Sequence, residues 1–357
     1  MVRCTGAAAL DRLAEAGWND LVATRPPADP LRRTAWLEVW LREAAGTVEP
    51  RAVVIDRDGE VVAAAALECT RRGGMDVVRN LGQGDAWFQI APPAVDHTAL
   101  HALLAQIAEE PGDILMLDGC PADADTVATL RAAIPGVRIT EHETWRLEIA
   151  DPPRSVRKRR KEARRAVRRA AEQGTEMHLE WITDWAEIGP RLGGLLDFHA
   201  RHFPGDGPNL LAGPGVRRRF AEAAIPALGA EGRARLVEVR SGEGDLLAWD
   251  LAFRGDGASA VAYAGAFDRS REDLMTLGWI SMLHMIERLE EEGVELVDFG
   301  PGPAPYKDLI SRSVPLVRAV APLSLKGRAA LAAHRAVAAA KGLRERRSAP
   351  ADEEAGE

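Results

Sequence analysis

The chain has 357 residues, a length that suits two domains of ordinary size. Hydrophobic residues make up 46%, enough for a proper core, and no run of eighteen apolar residues offers a membrane span. The net charge of −8 argues against bulk attraction to nucleic acid.

Three cysteines (Cys4, Cys69, Cys120) are odd in number and far apart, so they suggest neither a disulfide framework nor a CxxC site. A reducing, cytoplasmic location is the expectation. The start of the chain, MVRCTGAAALDRLAEAGW, carries Asp11 and Glu15 where an export signal needs an unbroken apolar core, so none is expected.

Residues 8–24 are spaced as a helix, with Leu10, Leu13, Trp18 and Leu21 on one face. PPADPL at 26–31 breaks it, and TAWLEVWLREA at 34–44 predicts a second helix. From Arg51 the period becomes that of strands. RAVVIDRDGEVVAAAALECTR reads as strand, Asp-Gly turn, strand; GGMDVVRNLG gives a third strand and WFQIAPP a fourth. A helix over 97–110, a strand over 111–119, a helix in ADTVATLRAA and a strand near TWRLEIA follow.

ADPP at 150–153 marks a boundary. The helix after it, 154–174, opens with ten Lys/Arg and one Glu between Arg154 and Arg169, a local charge of about +9. MHLEWI is a strand, 184–203 mostly helix, 204–215 a loop and 216–231 a helix. From Arg233 three strands, a helix over about 274–292 and the strand VELVDF lead to a Gly/Pro loop with Tyr306 and Lys307. From Lys326 the chain is Ala/Arg-rich helix, then a tail of disordered composition.

Two stretches repeat one another. Arg51–Gly119 runs strand, turn, strand, strand, helix, strand and ends LMLDG. Arg233–Gly300 follows nearly the same order over nearly the same length and ends LVDFG. The expected layout is a domain over 1–150, a second over 151–325, and a helical then disordered tail over 326–357. The expected fold class is α/β (α+β), each domain a mixed, mostly antiparallel sheet flanked by helices.

Several segments together resemble one family: AWLEVWL after a Pro-rich break, RKRRKEARRAVRRAAEQG opening the second half, DFHARHF, AGAFDRS before MTLGWISMLHMIERLEEEG, and VDFGPGPAPYKDL. The chain resembles the Gcn5-related N-acetyltransferase (GNAT) superfamily. Within it, the chain is similar to tandem members of the BioF2-like and CelD/BcsL cellulose-biosynthesis type, which are related to the FemAB peptidyltransferases. Phe267–Lys307 carries the most specific part. The family commonly has Pro-Gly at the start of the long helix, where this chain has Leu277-Gly278, and its loop before Tyr306 usually carries a charge, where this one is the neutral GPGPAP.

The resemblance implies two tandem GNAT-like domains, the second binding acetyl-CoA as acyl donor and the first without cofactor, helping to form an acceptor cleft. Physical reasoning converges on the same stretch. A strand-to-helix junction presents free N–H groups and the positive end of the helix dipole, which suit a pyrophosphate. Met275, Thr276, Leu277 and Gly278 would supply the donors, Gly278 a close approach, and Arg269 and Arg271 positive charge. The plain alternative is a core helix capped by Ser270 or Asp273.

Backbone amides of the strand through Tyr263 and Gly265 could pair with the acyl-pantetheine arm, while Tyr263 could equally be a strand aromatic. For catalysis the candidates are Asp250 and Asp298 as base or amine binder, Tyr306 as acid to the leaving thiolate, and Lys307 as partner of Asp298 or of a substrate anion. Asp298 could instead cap the Gly-rich loop. His199 and His202 lack the further ligands a metal site needs, so no metal is expected, and His284 reads as a core residue.

The first reading is an N-acyltransferase acting on an amine, in surface-polysaccharide or cell-envelope metabolism. The second is a FemAB-like aminoacyl-tRNA-dependent ligase using the basic helix at 154–169, which otherwise reads as a solvated face. The third is a non-catalytic scaffold of polysaccharide assembly. Composition leaves the acceptor and the oligomeric state open.

Overall fold

The computed structural model describes all residues except 1, 7, 24–29, 45, 84–91, 204–215, 272–275, 303 and 349–357. The first half contains β1 (Val2–Thr5), α1 (Ala8–Glu15), α2 (Trp18–Ala23), α3 (Thr34–Glu43), β2 (Glu49–Arg57), β3 (Glu60–Arg72), β4 (Met75–Asn80), α4 (His97–Ile107), β5 (Ile114–Pro121), α5 (Ala124–Ala133) and β6 (Arg138–Glu148). The second contains α6 (Arg154–Glu172), β7 (Met177–Ile182), α7 (Trp185–Ile188), α8 (Leu192–His202), α9 (Val216–Ala230), β8 (Ala234–Ser241), β9 (Leu246–Arg254), β10 (Ser259–Phe267), α10 (Leu277–Glu291), β11 (Leu296–Pro301), α11 (Lys307–Ile310), β12 (Arg312–Pro322) and α12 (Leu325–Ser348).

The expected helix over 8–24 is two helices. Gly17 takes a positive φ of 68°, which ends the first and starts the second. The expected helix over 184–203 is likewise divided, at Gly189-Pro190. The Asp-Gly turn is present: Asp58 and Gly59 both have positive φ, as a tight hairpin turn requires. The strand expected in WFQIAPP and the loop at 204–215 fall outside the described residues. Strands β1 and β12 had no counterpart in the sequence reading.

The twelve strands among the described residues form one sheet, in the order β1-β2-β3-β4-β5-β12-β6-β11-β10-β9-β8-β7. The order is symmetric about its centre, because each half lends its last strand to the other. β12 pairs with β5, β6 pairs with β11, and β6 and β12 pair with each other. Every pairing is antiparallel except β4 with β5 and β10 with β11. These two parallel ladders correspond residue for residue. Val77–Arg79 lie against Ile114–Met116, Ser259–Val261 lie against Leu296–Asp298, and both members are displaced by 182 positions (77 to 259, 114 to 296).

Side chains alternate across the sheet. On β9, Trp249, Leu251 and Phe253 enter a core shared by both halves, built with α1–α3, α8 and α9. Ala248 and Ala252 face the other way, toward α6 and α10. Trp36 of α3 is the keystone of the shared core. It is fully buried, with ring centroids 5.0 Å from Phe220, 5.8 Å from Phe253 and 5.5 Å from Tyr263. Arg33 also reaches across, bonding Glu231 at 2.6 Å and Asp256 at 2.5 Å. Among the described residues no helix is long and apolar enough to cross a membrane.

Candidate active site

The site begins where β10 and β11 part. Their ladder stops at Val261 and Asp298, while β10 continues to Phe267 with only β9 beside it. Tyr263 is the extra residue in a bulge between Ala262 and Ala264, which turns the end of β10 away from β11. A cavity of about 580 Å³ lies at this opening.

Its described lining residues all come from the second half. α8 is followed by Phe203, β10 supplies Gly265, Ala266 and Phe267, and α10 supplies Gly278, Trp279, Ser281 and Met282. Arg269 and the Pro305-Tyr306 loop complete the wall.

Among the described lining residues Asp250 is the one carboxylate. It stands on β9 directly opposite Gly265, on the face of Ala248 and Ala252 as the alternation predicts. A Cβ on Gly265 would collide with Asp250 Oδ1, so the glycine is what admits the carboxyl to this face. The carboxyl accepts a hydrogen bond from Ser281, and burial pushes its pKa up to about 7. Tyr306, 37% exposed at the rim, is pushed up to about 12 by burial of its hydroxyl and by the nearby Asp250 charge. The site thus pairs a carboxyl that titrates near neutrality with a phenol that stays protonated there.

The start of α10 faces the same opening. Thr276 is its N-cap and makes no side-chain capping bond, and the first-turn amides of Leu277 and Gly278 have no carbonyl four residues back within the helix. Gly278 has a packing reason as well: a Cβ there would lie 2.8 Å from Phe267 Cδ1. Met275 and the expected cap Asp273 fall outside the described residues. Arg271 lies near Asp268, whose pKa it helps to lower, and Arg269 stacks over Phe203 at 5.2 Å. The donor set fits an anion: first-turn amides that the Thr276 side chain does not cap, two arginines, and a cleft without ladder pairing on one side.

The structure brings Asp250, Gly265, Gly278 and Tyr306 into one cavity wall, while Thr276 and Leu277 precede Gly278 at the start of α10 without lining the cavity, and the Leu277 side chain is buried in the core. It does not bring Asp298, Lys307 or Tyr263 into the cavity wall. Asp298 is buried and accepts from Thr144 Oγ1 at 2.9 Å, Arg146 Nε at 2.9 Å and the Gly300 amide at 2.7 Å. It holds the start of the loop. Lys307 is also buried. Its Nζ donates to the carbonyls of Gly300, Pro301 and Gly302 at 3.0, 3.1 and 3.0 Å, and lies over Trp145. Burial pushes its pKa down to about 8, partly offset by Asp298. Together these residues fold the loop that presents Tyr306.

Tyr263 packs in the shared core against Trp36 and Phe253. His199 is buried beside Phe203, and desolvation lowers its pKa to about 4. His202 Nδ1 accepts the Arg269 amide at 3.3 Å. His284 is half-buried on α10.

Ser281, Trp279, Met282, Phe203 and Phe267 line the cavity and were not picked out in the sequence. Ser281 could have been found as the single hydroxyl in the apolar run of α10, three residues beyond Gly278.

The fold is the two-domain GNAT fold. Residues 157–308 match the acetyltransferase (GNAT) domain family. The crystal structure of FemX superposes with a TM-score of 0.59 at 16% identity, over 89% of this chain and 97% of that one. A tandem GNAT protein from the clavulanic acid biosynthesis pathway gives 0.51 at 16% identity, over 90% and 99%. The C-terminal domain of a putative lysylphosphatidylglycerol synthetase from Agrobacterium fabrum gives 0.54 at 13% identity, over 86% and 92%. At such identities the likeness is one of fold. No curated protein matches the sequence.

Proposed function

We propose that the protein is an N-acyltransferase that moves an acyl group, acetyl in the simplest case, from its coenzyme A thioester to an amine. The observation that carries this reading is the near-neutral Asp250 carboxyl, set over Gly265 in the cavity where β10 leaves β11 and α10 begins. The amides of Leu277 and Gly278, with Arg269 and Arg271, would receive the pyrophosphate. The unpaired edge of β10 would hold the pantetheine arm.

Asp250, ionised, accepts the proton from the attacking ammonium. The free amine then adds to the thioester carbonyl, the C–S bond breaks as the Tyr306 hydroxyl protonates the departing thiolate, and the remaining excess proton on the acylated nitrogen passes to the Tyr306 oxygen, restoring the phenol. Asp298, Arg146 and Lys307 act at one remove, by fixing the loop that carries Tyr306. The first half, residues 1–150, packs against and braces the catalytic half, 151–325. We place the acceptor among amines of surface polysaccharide or the cell envelope, on the resemblance to cellulose-biosynthesis acetyltransferases, and the reaction in the cytoplasm.

A second reading, an aminoacyl-tRNA donor, is favoured by α6. Arg154, Arg157, Lys158, Lys161, Arg164, Arg165, Arg168 and Arg169 are exposed along it, while Arg159 stacks on the cavity residue Trp279 at 5.2 Å.

A thermal melt separates the two. Acetyl-CoA should raise Tm if coenzyme A is the donor carrier. No shift with acetyl-CoA, together with salt-sensitive tRNA binding, would transfer the function to the second reading.

A further inference from the structure

The charges of α6 fall on two sides of the helix with different surroundings. Val156, Ala163 and Ala170 are buried and seat the helix in the core it shares with α10. On the flank toward α10, Arg160 bonds Glu290 at 3.0 Å and Arg164 bonds Glu287 at 2.9 Å. Away from that contact, Arg154, Arg157, Lys161, Arg165 and Arg169 follow one another at three or four positions and form one exposed stripe about 22 Å long. The ion pairs of α6 engage its other cations, so none of these five has a carboxylate partner among the described residues. In a chain of net charge −8 the stripe is a local reversal of sign.

The stripe begins at the catalytic cavity. Ser155 Oγ donates to the Leu309 carbonyl, three residues beyond Tyr306, and the Arg159 guanidinium lies 5.2 Å over Trp279 in the cavity wall. That placement discriminates among amines. At neutral pH an alkylamine arrives as its ammonium, and five unpaired cations repel it within the Debye length of about 8–10 Å. An amine carried on a polyanion is attracted, because its acidic groups bind the stripe and release counterions.

Every exposed residue between Arg154 and Arg169 is an arginine or a lysine, which leaves no aromatic side chain to stack on nucleic-acid bases and no apolar one to enter lipid. The amino groups of those bases are also conjugated and bring no ammonium for Asp250 to deprotonate. Trp279 offers a flat apolar wall, on which the C–H face of a sugar ring packs.

We propose, resting on the acyl-coenzyme A reading above, that the acceptor amine belongs to an acidic polysaccharide. Its acidic groups lie along the α6 stripe while an unsubstituted amino sugar enters the cavity toward Asp250.

The test is calorimetry of the full-length protein at pH 8 with an N-desulfated heparin oligosaccharide, which carries acidic groups and free amines, and with the same oligosaccharide after N-acetylation. At low salt the first should bind with a Kd of about 100 μM or tighter, and at least about tenfold more weakly in about 0.5 M salt. The N-acetylated form is the more anionic of the two, yet it should bind at least about threefold more weakly, because it has no ammonium for Asp250. Lys161→Glu combined with Arg165→Glu should weaken binding at least about tenfold in a protein that melts where the parent does. Arg157→Gln combined with Arg169→Gln repeats the test without charge reversal if that pair fails to fold. Unchanged binding by a folded double variant, equal or tighter binding of the N-acetylated form, or tighter binding of tRNA or of phosphatidylglycerol vesicles than of the oligosaccharide would overturn the proposal. Binding that depends on both the stripe and the free amine, without any acetyl-CoA thermal shift, would sustain the acceptor assignment and count only against the donor.

Discussion

The two strand openings share one frame and end in opposite chemistry. In the first half the gap beyond the β4–β5 ladder is stitched: Asn80 Nδ2 donates to the Asp118 carbonyl at 3.1 Å, and Arg79 donates to the Gln83 carbonyl at 2.5 Å. Arg79 is matched by the fully buried Glu68, which also takes the Trp40 indole and the Gly82 amide. The helix that follows is capped by Asp96.

In the second half, among the described residues, no side-chain hydrogen bond ties β10 to β11 beyond their ladder. Gly265 leaves the floor of the gap open, its helix starts at Thr276 without a capping bond from that side chain, and its carboxylate faces a cavity. The difference teaches that the fold supplies an opening, and a handful of side chains decide whether it is closed or becomes a reaction chamber.

The sharpest break in that contrast is Asp250→Asn. Loss of the base should lower kcat by about two to four orders of magnitude while the acetyl-CoA thermal shift persists. Steady-state acyl transfer and a melt read both halves of that statement. The same group sets the pH profile. Its pKa is raised to about 7 and the ionised form is the active one, so kcat/KM should fall about tenfold per pH unit below 7 and level off above it. A profile flat from pH 5 to 8 would remove Asp250 as the base.

Next in size is Tyr306→Phe, expected to cost about 10²-fold in kcat with stability unchanged, because the side chain is a rim residue. Gly278→Ala should destabilise by about 1–3 kcal/mol, measured by chemical denaturation, as the new methyl meets Phe267. The smallest effect is expected in the other half. Asp96→Ala should cost about 1 kcal/mol of stability through loss of the α4 cap and leave acyl transfer as it was. A change in turnover there would mean that the first opening contributes to catalysis.

Local pattern carried much of this structure. ADTVATLRAA occupies α5 residue for residue, MHLEWI is β7, and strict alternation put Asp250 on the face of Ala248 and Ala252. The repeat was legible because each copy is a run of local elements in the same order. Two roles were left open in the sequence, and the tertiary arrangement bears on both. Asp298 could be read as base or as loop cap, and its three bonding partners include Thr144 and Arg146, some 150 residues away. Lys307 offered two partners, and three backbone carbonyls took its ammonium.

β12 illustrates the reason. SVPLVRAVAP has no partner within its own half, and its ladder forms with strands nearly 200 residues upstream. Periodicity reports what lies two to four residues away, and so the sequence by itself determined most of the elements and their repeat, but not β1, β12 or the breaks at Gly17 and Gly189. Strand exchange, the neutral-range Asp250 and the closed first opening depend on burial and on contacts between distant segments, which only the assembled sheet creates.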